Sequence, residues 1–584
     1  MGRLRRLKQV TNGGLLLAVS SGAGALPAWA QDTPGQITPR EVVTPPTPTS
    51  APPTTTNVDA RGAIAQAACP FEDSDIRLTL SEVRFVRPDG SPLQPVIADT
   101  LAQVPVPTGE QSIRVVCDLR DQANAALNRD GWIASVQIPA QSIGSGVLEL
   151  RVVTARITEV RVRGNPGPYR DVLESRISQL RGFDPLNKRD AERALLLSGD
   201  VPGLDVQLSL RPAGTQPGDV IGELAITYRP FTIFANVQNY NARALGRETG
   251  YVRAEYYGLT GLQDLTYIGA SSTADFEEQR IAQVGHIFGL DNNGTSLGGR
   301  FTYAWSRPDL GALELKTDTL IAGFDLVTPL VRTVNTNLRI GIGFDYVDQE
   351  TSVRAGNGLV PLNLDKLRIG FIRVSGDVLK RRGDGSALFL LRAGLEARKG
   401  FDIFDATPVG SFVPGTALPS RIDGNSRAYV VRGELDAMLA LGRIFSVAGT
   451  ARGQLSNEPL LNYEEFSLGN LTIGRGYDPG SNSGDRAIGL RGEVRAAPPI
   501  SDRVGTEIFG FVDNVWFTNL DRSSTETDRH IRSYGGGLRL TLPNAMLLEA
   551  QYARPRDRAL TIDAAPPTDR FLLSLTVQFR APAR

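Results

Sequence analysis

FLLSLTVQFR (571–580), almost the last segment of the chain, alternates without a break. Successive side chains of a strand point to opposite sides. Phe571, Leu573, Leu575, Val577 and Phe579 therefore share one face, and Leu572, Ser574, Thr576, Gln578 and Arg580 the other. The first face is wholly apolar and the second is mixed. The pattern recurs upstream. Leu338, Ile340, Ile342, Phe344 and Tyr346 oppose Arg339, Gly341, Gly343 and Asp345. Ala387, Phe389, Leu391, Ala393, Leu395 and Ala397 oppose Leu388, Leu390, Arg392, Gly394, Glu396 and Arg398. Alternating segments of about ten residues are the pattern of a transmembrane β-barrel, whose strands are apolar on the lipid side only. A soluble β-sandwich would put its polar face in bulk water and rarely reaches this length as one domain. At about 22 residues per strand and connection, residues 230–584 accommodate about sixteen antiparallel strands in contact with lipid.

The start of the chain predicts export. Arg3, Arg5, Arg6 and Lys8 precede a short apolar centre that includes Leu15 and Val19, and Ala28, Trp29 and Ala30 form an A-x-A cleavage site. Residues 1–30 read as a signal peptide. No later run approaches the length of a membrane-spanning helix. The only cysteines are Cys69 and Cys117. In an oxidising compartment they pair as one disulfide, with two free thiols as the alternative.

Residues 31–74 include TPPTPTSAPPTTT (44–56), a Pro/Thr-rich run that buries no core and reads as an extended linker. Two small α+β units follow, at 75–153 and 154–229. The first reads as a strand over 76–86, helices over 96–103 and 112–128, and strands over 132–138 and 146–153. Val116, Leu119, Ala123 and Leu127 lie on one face of the second helix, and Gly131 ends it. The order repeats: a strand over 157–162, a helix over 171–180, a helix through Leu197 capped by Asn187, then strands over 204–210 and 222–228. The repeat is about 75 residues long, flagged by spacing of the helical and strand periods.

The motif with functional content is FSLGNLTIGRGYDPGSNSGDRAIGLRGEVR (466–495). At its centre Gly474, Arg475, Gly476 and Tyr477 set one planar five-donor cation between two glycines that permit tight backbone. Alone, this reads equally well as a turn bearing a solvated arginine. Its flanks are Phe466, Ser467, Leu468, Gly469 and Asn470 before it, and Gly484, Asp485, Glu493, Val494 and Arg495 after it. Together they resemble the lid-loop signature of the haemolysin secretion/activation family, the two-partner secretion transporters of bacterial outer membranes. Gly474 stands where that family has valine, and Asn470 where it has a second glycine. Phe511 and Asp513 match the family's F-x-D wall motif, although Asn514 and Val515 depart from its continuation. The strand–helix–helix–strand–strand order resembles the family's POTRA domains. Asp184, Pro185, Leu186 and Asn187, and Asp200, Val201, Pro202 and Gly203, match its turns. Asn239, Tyr240, Asn241, Gly246 and Arg247 resemble its first barrel hairpin.

The resemblance implies two periplasmic POTRA-like units before a barrel in the outer membrane. It implies a lid loop in the lumen whose Arg475 pairs with Asp513, and a large β-rich exoprotein as cargo, such as a haemolysin or adhesin, secreted and in some cases activated. An N-terminal helix plugs the pore in many members; here only 61–68 is a candidate, too short to assign. A barrel-assembly factor shares the lid loop but usually carries more POTRA units. A diffusive porin, the remaining alternative, lacks the N-terminal repeat.

Other classes are excluded on composition. The 63 basic and 63 acidic residues balance, so nothing attracts nucleic acid. His286 and His530 are the only histidines, and with two cysteines they form no metal cluster. No P-loop and no catalytic set appears. The expectation is a monomeric, cofactor-free and nucleotide-free barrel that is not an enzyme.

Overall fold

The computed structural model describes residues 63–64, 68–72, 74–410, 417–501, 503–522, 524 and 526–582. The signal segment, 1–30, and the whole Pro/Thr run, 44–56, lie outside the described residues. Of the plug candidate 61–68, only 63, 64 and 68 are described.

The first unit contains β1 (Arg77–Leu80), β2 (Glu82–Val86), α1 (Pro95–Leu101), β3 (Gly109–Ser112), α2 (Val115–Asp130), β4 (Ala134–Gln137) and β5 (Val147–Thr154). The single strand expected over 76–86 is in fact two. Ser81 and Glu82 both donate their N–H groups to the Gly146 carbonyl, at 2.8 and 3.2 Å. That contact steers β2 alongside β5 in parallel, while β1 pairs antiparallel with β3. Val116, Leu119, Ala123 and Leu127 of α2 are buried in one core with Leu148, Leu150 and Val152 of β5. Gly131, at φ 89°, stops α2 in the left-handed conformation that glycine accepts without a Cβ clash. Cys69 and Cys117 are joined by a disulfide, with a Cα–Cα distance of 5.8 Å.

The second unit contains β6 (Arg156–Arg163), α3 (Arg170–Arg181), α4 (Lys188–Gly199), β7 (Leu204–Pro212) and β8 (Asp219–Tyr228). The Asn187 side chain caps α4 by accepting from the Arg189 N–H at 2.9 Å. The repeat holds in the sheets. Their orders are β2-β5-β4 and β6-β8-β7, with the outer first strand parallel to the central last strand in each.

Sixteen antiparallel strands then close a barrel, from Phe231–Gln238 to Arg570–Arg580. The last strand pairs with the first, Val577 opposite Ala235. A two-residue strand, Asp309–Leu310, pairs at the side of this ladder. The sequence alternation maps onto the wall: Phe571, Leu573 and Phe579 are exposed on the outside, whereas Leu572, Ser574 and Thr576 are buried within. Among the described residues no helix is long and apolar enough to cross a membrane. The strands Leu313–Arg332, Thr336–Ala355 and Gly358–Arg381 are the longest, at 20, 20 and 24 residues.

The chain enters the barrel from the second unit, and the turns at that end touch this unit. Tyr169 donates its hydroxyl to the Asp264 carbonyl at 3.2 Å, and Arg332 grips Asp200 with two hydrogen bonds of 2.6 and 2.7 Å. The connection 457–485 joins the eleventh and twelfth strands, Phe445–Ser456 and Arg486–Ala496. It starts at the opposite end of the barrel, and residues 460–469, 473–477 and 482–485 are all buried.

Candidate functional site

The long connection 457–485, the lid loop of the sequence resemblance, packs inward against the wall. Its apolar residues Phe466, Leu468, Ile473 and Tyr477 pack on Val515, Phe517 and Ile531 of the wall. Leu461 and Tyr463 pack on Ile321, Val347, Leu367 and Ile369 across the lumen. These contacts bring the tip, 474–477, against the strands Arg486–Ala496, Gly505–Thr518 and Asp528–Leu542.

Asp513 receives the tip, though not in the expected way. The resemblance implied a guanidinium–carboxylate pair between Arg475 and Asp513. Instead, Asp513 Oδ2 accepts the backbone N–H groups of Gly474 and Arg475, at 3.1 and 2.8 Å. Its charge partner is Arg491, whose Nε and Nη2 donate at 2.7 and 3.1 Å. The Arg475 guanidinium passes on to Glu493 and donates Nη2 to Oε1 at 2.6 Å. Arg495 and Arg539 also contact Glu493, at 2.6 and 3.4 Å. A side chain as long as arginine reaches past the carboxylate that holds its own backbone. Asp513 is only 1% exposed and Glu493 5%. In so dry a place charge-assisted hydrogen bonds are short and strong, and an unpaired charge is costly.

Phe511 has a distinct role. The Arg475 guanidinium carbon lies 4.4 Å from the centre of its ring and 5.4 Å from that of Phe509. This is cation–π distance. Arg475 Nη1 has no hydrogen-bond partner among the described residues, so the aromatic faces are what that side of the guanidinium meets. Gly474 sits at φ 114°, where a side chain is strained, and a Cβ there would lie 2.8 Å from Leu468 Cδ1. Gly476 donates its N–H to Ser533 Oγ at 3.3 Å. The Tyr477 hydroxyl lies 2.9 Å from the carbonyls of both Arg532 and Asp557. Asp478, next to the tip, pairs with Arg247 and Arg570 at 2.9 and 3.1 Å. Asn470 donates its side-chain amide to the Tyr240 carbonyl at 2.8 Å.

The lid roots carry further charges, of which sequence reasoning singled out only Asp485, as part of the motif. Glu464 accepts from Arg398 at 2.9 and 3.0 Å and pairs with Arg432 at 3.3 Å. Arg398 in turn holds Asp345 and Glu396, at 3.2 and 2.9 Å. Glu465 and Asp485 both meet Arg421. A signal for part of this was present. Glu464 and Glu465 are adjacent acids at the start of the lid motif, and Arg491, Glu493 and Arg495 share the lumen face by two-residue spacing. Arg421 lies in the connection 401–428, where no motif marks it. Among the described residues no group of histidine, cysteine and carboxylate side chains is arranged to hold a metal ion.

The molecule is thus a closed sixteen-stranded barrel with a loop folded inward against its wall, behind two small α+β units. Residues 381–540 match the family described as haemolysin secretion/activation protein ShlB/FhaC/HecB. The resemblance drawn from the lid signature is borne out in the region that contains the lid and Asp513. The outer membrane transporter CdiB-2 of Burkholderia pseudomallei (strain 1026b) is 26% identical over 180 residues, and the aligned part spans 30% of each chain. Two solved structures share the fold. CdiB from Escherichia coli matches with a TM-score of 0.69 at 17% identity, over 89% of this chain and 94% of that one. CdiB from Acinetobacter baumannii matches with a TM-score of 0.62 at 15% identity, over 92% of this chain and 95% of that one.

Proposed function

We propose that this chain is the transporter of a two-partner secretion pair, and that it passes one large β-rich polypeptide across the outer membrane as the lid leaves its seat. The observation that carries this reading is the seat itself. The tip is held by Asp513 and Glu493, within reach of small rearrangements, and the lid occupies the lumen that a passing chain needs. Breaking one buried ion pair costs about 3–5 kcal/mol, enough to hold a resting state and small enough for a bound polypeptide to offset. The units at 75–153 and 154–229 serve as periplasmic capture modules. Each presents sheet edges, β2 and β4 in the first and β6 and β7 in the second, to which an extended segment adds as a strand. The chain has no catalytic part in this scheme and needs no nucleotide; folding of the cargo outside supplies the drive. The cargo is a large β-rich exoprotein, such as a haemolysin, an adhesin or a contact-dependent toxin. Two capture units favour secretion over barrel assembly, and the filled lumen argues against a diffusive porin.

The test first seeks the exoprotein among the genes adjacent to that of this chain, where a very long β-repeat product is expected. Arg475→Ala and Asp513→Ala are expected to depress its secretion while the barrel still assembles. Undiminished secretion in both variants would overturn the lid mechanism.

A further inference from the structure

Arg421 is distant in sequence from both the lid and its wall, yet no part of its side chain is exposed. It lies in the connection 401–428 and meets three carboxylates from two other connections. Glu465 and Asp485 stand at the two roots of the lid, at 2.5 and 2.6 Å. Asp521, at 2.6 Å, belongs to the connection 519–527. Arg421 also donates to the Leu460 carbonyl at 2.9 Å. Asp485 ties the same knot from its side: it accepts the backbone N–H groups of Leu460 and Leu520, each at 2.7 Å. Ser483 donates its hydroxyl to Glu465 at 2.9 Å. The neighbouring Ser420 accepts the Asn462 N–H at 3.1 Å. An arginine that merely stiffens its own loop needs one partner. This one joins both roots of the lid to two neighbouring connections, and without it three buried carboxylates would face each other. Like charges at such range in a dry site repel strongly.

We infer that Arg421 is a positioning residue for the lid. It clamps the two roots together and keeps the lid in the lumen at rest, so the seat depends on a side chain outside both the lid and its wall. The inference rests on the lid reading proposed above, but its test needs no cargo. The full chain is placed in liposomes and arabinose entry is followed by swelling. Arg421→Met is expected to raise entry several-fold over wild type, with heat-modifiable migration of the barrel unchanged. Combined with Arg475→Ala, it is expected to raise entry beyond either single variant. Wild-type entry in Arg421→Met, with an intact barrel, would overturn the inference.

Should Arg421→Met fail to assemble, Ser420→Cys with Asn462→Cys asks the same question without removing the arginine. A disulfide there ties the connection to the lid root. In the Arg475→Ala background, entry is expected to stay low when the pair is oxidised and to rise on reduction, relative to Arg475→Ala alone under the same reductant. Equal entry in the two states would overturn the inference. Raised entry in Arg421→Met with unchanged secretion would support the clamp and count against the transport reading.

Discussion

Asp513 holds the lid by its backbone, and this changes what single residues at the tip are expected to do. The motif made Arg475, Tyr477, Phe511 and Asp513 legible from sequence, and strand parity placed Phe511 and Asp513 on one face. Parity says which side chains share the lumen. It does not say which of several lumen carboxylates a long arginine reaches, so the pairing of Arg475 with Glu493, itself part of the motif, and the part played by Arg491 emerged only in three dimensions. Gly474 is the sharpest test at this scale. Its φ of 114° belongs to glycine, and a side chain in such a conformation costs about 1–3 kcal/mol. Valine, the family's residue there, would also meet Leu468. Gly474→Val is therefore expected to loosen this lid and raise arabinose entry into liposomes. Unchanged entry would show that the tip tolerates the valine backbone.

At the scale of elements, the helices and the repeat were readable because they follow simple rules. The apolar stripe of α2, the Gly131 stop and the Asn187 cap each act within a few residues. The ribbon of β1 and β3 was not readable. Its second strand, GEQS (109–112), has no apolar alternation, and its break at Ser81 is made by Gly146, far along the chain. The disulfide pins the segment before this ribbon onto α2, across a sequence separation of 48 residues. In the chain-entropy model such a link stabilises by about 4 kcal/mol. Replacing both cysteines, Cys69→Ser with Cys117→Ser, is expected to make the first unit much more sensitive to trypsin in urea, with the barrel fragment remaining resistant. Equal protection of the first unit in both proteins would contradict that role.

For the whole molecule, dividing length by strand period foretold sixteen strands, because hairpin connections in a barrel are mostly short. The same arithmetic averages over unequal strands. It hid the tall wall of Leu313–Arg332, Thr336–Ala355 and Gly358–Arg381, which faces Leu461 and Tyr463 of the lid. It also gave no hint that Asp200 and Tyr169 would bind the second unit to the barrel mouth. The resulting assembly has the two α+β units at one end of the barrel, the loop 457–485 entering from the other, and charge contacts that meet between loop and wall. Transport through this assembly, as proposed, requires the lid to move when cargo passes.

Ile473 and Gly489 allow that movement to be tested directly. A Cβ at Gly489 would lie 3.2 Å from Ile473 Cβ, and its three nearest atoms all belong to the Ile473 side chain, near the separation a disulfide needs. Ile473→Cys with Gly489→Cys would thus fasten the lid to its wall without disturbing Arg475 or Asp513. Export of the cargo exoprotein, once identified, is the measurement, with wild type treated alike to control for Cys69 and Cys117. The oxidised pair is expected to block export and reduction to restore it. Export from the oxidised protein at the reduced level would contradict the account.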